Sequence, residues 1–182
     1  WGEHADIEGS SDVYGVQYPY EVHSVFDHYQ DTILLVDKGE KPVSSTVGHN
    51  LMHNHAYAAS RFDQAVENLA HLVPILKEGN LDEFVSLVES EALTLHAMML
   101  TSKPYFILMK PNTLKIIDKI WEYRRDTSIP VCFTLDAGAN VHVLYPKKDK
   151  EAVQEFIKND LSIYCQDNRY IFDNVGNGAI KL

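Results

Sequence analysis

Apolar residues in this chain recur with two different periods. Between Arg61 and Lys77, Phe62, Ala65, Val66, Leu69, Leu72, Val73 and Leu76 fall three or four apart, the spacing that lines one face of a helix. Gly79 follows as a stop signal, while Pro74 predicts a kink or break inside the run. A second helix is predicted over 80–102, with Asn80 as N-cap, Asp82 and Glu83 in its first turn, and a stripe of Phe84, Leu87, Val88, Leu95 and Met98. A third begins at Pro111, carries Leu114, Ile117, Ile120 and Trp121, and ends in Arg124 and Arg125, where a helix dipole favours cations. The segment "KKDKEAVQEFIKND" reads as a short amphipathic helix. Met98, Met99, Tyr105 and Phe106 read as core filling.

The remaining runs have strand character. Thr32 to Val36 is a short apolar run closed by Asp37 and Gly39, residues 130–146 read as a hairpin, and "NRYIFDNVG" reads as a final strand. The first 23 residues lack a clean period and read as a strand end, a loop and a lead-in. Strands interleaved with helices around an antiparallel hairpin predict an α+β fold: a ferredoxin-like, four-stranded antiparallel sheet with helices packed on one face.

Composition narrows the function classes. The 182 residues are 45% hydrophobic, enough for one sizeable core, and no run approaches the length of a membrane-spanning helix. Without a start Met or a signal peptide, the opening "WGEHAD" is expected to mark a fragment or a processed product. Two well-separated cysteines predict a reducing, cytoplasmic setting. A net charge of −10 argues against nucleic acid as a partner. It also means that an anionic small molecule would need a local positive site.

Three stretches carry candidate chemistry. Asp136 opens the hairpin corner "DAGAN", where residues without bulk would let a ligand approach a carboxylate; an Asx-turn to the backbone two residues on is the structural alternative. Ser44, Ser45 and Thr46 precede Gly48 and a possible short helix, so they form either an anion site or an N-cap. His49, His53 and His55 share a segment without the Glu a metalloprotease pattern requires, and no metal is assigned to them. His96, among apolar residues, reads as a satisfied core or interface histidine. Cys132 reads as a buried thiol, and no nucleophile elbow is present.

Taken in order, "VSSTVGH", "EALTLHAMMLTSKPYF" and "PVCFTLDAGANVHVLY" resemble the C-terminal half of mevalonate diphosphate decarboxylase, a member of the GHMP kinase superfamily. The resemblance implies that residues 1–25 end the N-terminal domain and its linker, and that 26–182 form the C-terminal domain. It implies an ATP- and Mg²⁺-dependent decarboxylation of mevalonate diphosphate to isopentenyl diphosphate in isoprenoid biosynthesis. Asp136 would be the catalytic base, and Ser44 and Ser45 would be substrate contacts. Thr46 stands where some relatives have Arg. Homodimerisation is implied as well. The family's glycine-rich nucleotide segment is not in this sequence, so the chain by itself is expected to be inactive without its N-terminal half. A related small-molecule kinase, or a non-catalytic dimerisation module on the same scaffold, are the rival readings.

Overall fold

The computed structural model describes residues 2, 4, 7–39 and 51–176. Strand β1 (Gln30–Leu34) begins earlier than the apolar run predicts and ends before Leu35. Its polar residues are admitted because they have partners. Thr32 is fully buried with its hydroxyl 2.7 Å from that of Tyr145, and the side-chain amide of Gln30 donates to the carbonyl of His28. Leu35 leaves the ladder because its N–H donates to the carbonyl of Arg169 and its own carbonyl accepts from Gln166. Among the described residues no strand precedes Gln30. Residues 7–23 run through turns and bends to a 3-10 turn at Ser24–Phe26, so the expected strand end is not found there.

The hairpin forms as predicted from β2 (Cys132–Leu135) and β3 (Val141–Tyr145), and β4 (Tyr170–Asn174) closes the sheet. The order is β2-β3-β1-β4 with every pair antiparallel, the expected ferredoxin-like α+β arrangement. Register puts Phe133 opposite Val143, and Leu135 and Leu34 opposite Val141, so one face is largely apolar, with Thr32 buried among its residues. Among the described residues, four α-helices connect the strands: α1 (Ala58–Glu78), α2 (Leu81–Thr101), α3 (Pro111–Thr127) and α4 (Lys150–Phe156), the last widening into a π turn over Ile157–Leu161. Ile116, Ile117 and Ile120 of α3, with Val153, Phe156, Ile157 and Leu161, pack on that face. Burying one such side chain is worth about 1.5–3 kcal/mol, so this layer holds the helices to the sheet.

Helix α1 continues through Pro74 rather than breaking there. Gly79 ends it at φ 74°, with its N–H on the carbonyl of Ile75. A Cβ at this position would stand 2.5 Å from a ring nitrogen of His23, so both conformation and space call for glycine. Asn80 caps α2 as predicted, accepting from the N–H of Glu83.

Four expectations about faces are corrected. On α1 the buried residues are Ala58 and Ile75, while Phe62, Val66 and Leu69 of the expected stripe are exposed. The buried stripe of α2 is Val85, Glu89, Ala92, His96 and Met99, with Met98 beside it, while Leu95 is exposed. The buried stripe of α3 includes Thr113 and Ile116, while Leu114 is half exposed. Tyr105 is 78% exposed rather than core filling; it lies in the irregular connection 103–110, from which Leu108 is buried instead. Arg124 also differs from a simple dipole partner. It donates to both carboxylate oxygens of Glu89, at 2.6 and 3.0 Å, and to the carbonyl of Val131 at 2.7 Å.

Candidate functional site

The β2–β3 corner spans Asp136 to Asn140, and its exposed member is Asp136; Gly138 and Ala139 are buried. Residues this small let the turn sit close against α2 and the start of α3. The amide two residues after Asp136 does bond back to it, but the acceptor is the main-chain carbonyl of Asp136, reached by Gly138 N–H at 2.7 Å. Nε2 of His96, on α2, lies 3.1 Å from that same carbonyl. The hydroxyl of Thr113, on the first turn of α3, donates to the carbonyl of Ala139 at 2.7 Å and accepts from the N–H of Lys110. At the far end of the corner, the side-chain oxygen of Asn140 accepts from the N–H of Asp37 at 3.1 Å. Lys110 and Asp37 face each other at 3.6 Å on the surface, a pair of little energetic weight.

Two histidines near Asp136 are shifted in opposite directions. Burial holds His96 below its usual range, against the bond to the Asp136 carbonyl and the carboxylate's charge. His96 is therefore neutral at pH 7, and because its partner is a carbonyl, Nε2 must be the protonated nitrogen. His142 lies on β3, with Nδ1 2.9 Å from Asp31. The bond to Asp31 raises its pKa against burial, and the charges of Asp31 and Asp136 raise it further.

The other expected features lie elsewhere. Ser44, Ser45, Thr46 and His49 fall outside the described residues. His55 accepts from the N–H of Tyr57 at Nδ1, which leaves Nε2 to donate to the carbonyl of Met98 at 3.1 Å, so both ring nitrogens are spent on the protein. Cys132 and Cys165 are free and buried; burial pushes the Cys165 thiol up to about 11 and that of Cys132 higher still, so neither is an activated nucleophile. An open groove of about 500 Å³ between α1 and α2, and another of about 530 Å³ beside Lys147 and Lys148, include no corner residue in their lining.

Sequence reasoning singled out Asp136 but not the residues that hold its loop. Asn140 was legible as the end of "DAGAN". Thr113 and His96 gave no such signal, since a hydroxyl at a helix start and a histidine in an apolar stripe both look local.

The model of the family described as "Mevalonate 5-diphosphate decarboxylase C-terminal domain" matches residues 32–177. Among solved structures, mevalonate pyrophosphate decarboxylase from Streptococcus pyogenes is 26% identical with a TM-score of 0.73, covering 89% of this chain and 49% of that one. A structure described as "MDDEF in complex with MVAPP, AMPPCP and Magnesium" is 25% identical with a TM-score of 0.72, covering 84% and 46%. Phosphomevalonate decarboxylase of Haloferax volcanii is 26% identical over 82 residues, which is 45% of this chain and 25% of that protein. The chain spans about half the length of these solved relatives and a quarter of the curated one. With the family match running from β1 through β4 and taking in the whole corner, the chain belongs to the mevalonate 5-diphosphate decarboxylase C-terminal domain family.

Proposed function

We propose that this chain is the C-terminal part of an enzyme that decarboxylates mevalonate 5-diphosphate at the expense of ATP, giving isopentenyl diphosphate, ADP, phosphate and CO₂. The observation that carries this reading is the corner: one exposed carboxylate on a turn whose backbone is bonded from two helices. Asp136 orients the substrate's tertiary hydroxyl and accepts its proton. ATP with Mg²⁺ supplies the phosphoryl group that makes that oxygen a leaving group, after which phosphate and CO₂ depart together. The relative described with MVAPP, AMPPCP and magnesium supports these cofactors.

Among the described residues, the turn itself offers the Asp136 carboxylate and backbone carbonyls, acceptors that do not fit a triphosphate. The nucleotide is therefore assigned to the half of the relatives that this chain does not span. Ser44 and Ser45, which lie outside the described residues, contact the acidic groups of the substrate, a role supported by the resemblance of "VSST" to the family's hydroxyl pair. Residues 1–25 end the preceding domain and 26–182 form this one. The enzyme is a cytoplasmic homodimer, a reading supported by the two free, buried cysteines and by the bare apolar stripe of Phe62, Val66 and Leu69 on α1.

In the full-length protein, Asp136→Asn is expected to lower kcat by about 10³-fold with KM nearly unchanged, the mark of a lost base. Turnover retained in that variant would sink the assignment. A second reading has a specific support, since the Haloferax volcanii relative is named for the monophosphate. Mass spectrometry of the product and of released CO₂, with mevalonate 5-diphosphate and 5-phosphate assayed side by side, separates the two substrates. A phosphorylated product without CO₂ would instead indicate a kinase.

A further inference from the structure

We propose that His96 and Thr113 are positioning residues: from two different helices they clamp the carbonyls at the two ends of the "DAGA" turn and so aim the Asp136 carboxylate. This deepens the decarboxylase reading and rests on it. Both side chains are buried, His96 to 2% exposure and Thr113 to 0%. A buried imidazole or hydroxyl is costly unless it is bonded, so each is committed to its acceptor. The acceptors are main-chain carbonyls of Asp136 and Ala139, inside a turn where the β2–β3 ladder has ended and supplies no donor.

The two bonds differ from ordinary core satisfaction in their targets. His96 is 40 residues before Asp136 in sequence, and Thr113 is 26 before Ala139, yet both reach the same short turn. The turn's internal bond, Gly138 N–H to the Asp136 carbonyl at 2.7 Å, shares its acceptor with His96. Fixing that carbonyl fixes the peptide plane after Asp136, and with it the direction in which the side chain leaves the backbone. Proton transfer is steep in distance, and a misplacement of about 1 Å is enough to cost about 10²-fold in rate. Neither residue touches the reacting atoms; each acts through Asp136.

The test uses the full-length enzyme. His96→Leu keeps volume and removes the donor, whereas His96→Gln returns an N–H near the place of Nε2; Thr113→Val and Thr113→Ser form the same pair at the other end. We expect kcat to fall about 10²-fold in His96→Leu, with KM within about threefold, and to recover largely in His96→Gln. Because the effect runs through the carboxylate, adding His96→Leu to Asp136→Asn should lower kcat no further than Asp136→Asn alone. Amide exchange over 136–140, read by mass spectrometry, should accelerate about tenfold in His96→Leu while protection of 141–145 persists. An unchanged kcat, a loss that multiplies fully onto that of Asp136→Asn, or unchanged exchange over 136–140 would each overturn the proposal. Should His96→Leu fail to fold, Thr113→Val decides by the same readouts. A wild-type enzyme that releases no CO₂ from either substrate refutes the decarboxylase reading, while the exchange measurement still judges the clamp by itself.

Discussion

Two carboxylates close together on α2 tie down the helices on either side, and they do so in different surroundings. Glu89 points toward α3, where it receives the Trp121 indole N–H at 2.9 Å and the Arg124 guanidinium on both oxygens, with its side chain 10% exposed. Glu91 points toward α1, where it pairs with Arg61 and accepts from Asn68 at 2.6 Å, with its side chain 32% exposed. On the Glu89 side the helices also share an apolar layer with the sheet. On the Glu91 side the outer face of α1 leaves Phe62, Val66 and Leu69 bare. The two pairs therefore differ in which member meets water: the carboxylate is the buried partner on the α3 side and the exposed one on the α1 side.

The largest effect should come from breaking the inner tie. Glu89→Ala strands the Arg124 guanidinium beside the core, and removing one partner of a buried pair costs about 3–5 kcal/mol. Urea unfolding of the chain should show that loss as a lower midpoint at constant slope. Glu91→Ala should cost less in the same experiment, about 1–3 kcal/mol, since the carboxylate removed is a third exposed while Arg61, 14% exposed, loses its acceptor. Equal costs for the two variants would show that burial does not set the difference.

A smaller effect distinguishes the two histidines by its dependence on pH. His142, raised by Asp31, holds its stabilising pair below the ordinary histidine value of 6.5, and that contribution is lost as pH rises through the folded-state value. His96, lowered by burial, has the opposite sign: the unfolded chain takes up the proton first, so stability falls as pH drops below 6.5. The midpoint difference between wild type and His142→Gln should accordingly be larger at pH 5.5 than at pH 8. A difference that grew with pH would show that the Asp31 bond is not what raises His142.

Much of the fold was legible because periodicity is a local property. The three long helices, the hairpin and the last strand follow from apolar spacing, and the caps at Asn80 and Gly79 from backbone chemistry. Which face of each helix is buried was less legible, and the errors on α2 and α3 share a cause. On α2 the buried stripe contains Glu89 and His96, and on α3 it contains Thr113. These polar residues break the apolar pattern, and they are tolerated inside only because Arg124, Trp121 and the corner carbonyls come to meet them from elsewhere in the chain. Asp136 stood out because its neighbours Ala137, Gly138 and Ala139 are so small. The residues that aim it did not, since their acceptors are main-chain oxygens, which every residue type carries alike.

By itself, the order of amino acids determined the elements, the antiparallel sheet they build and the carboxylate at its corner, because steric propensity and the transfer of apolar groups out of water act over a few residues at a time. Only the tertiary structure decided where polar groups are buried and which turn they hold. A buried donor is stable only when its acceptor arrives in the right place, and for His96 and Thr113 that acceptor lies on another element.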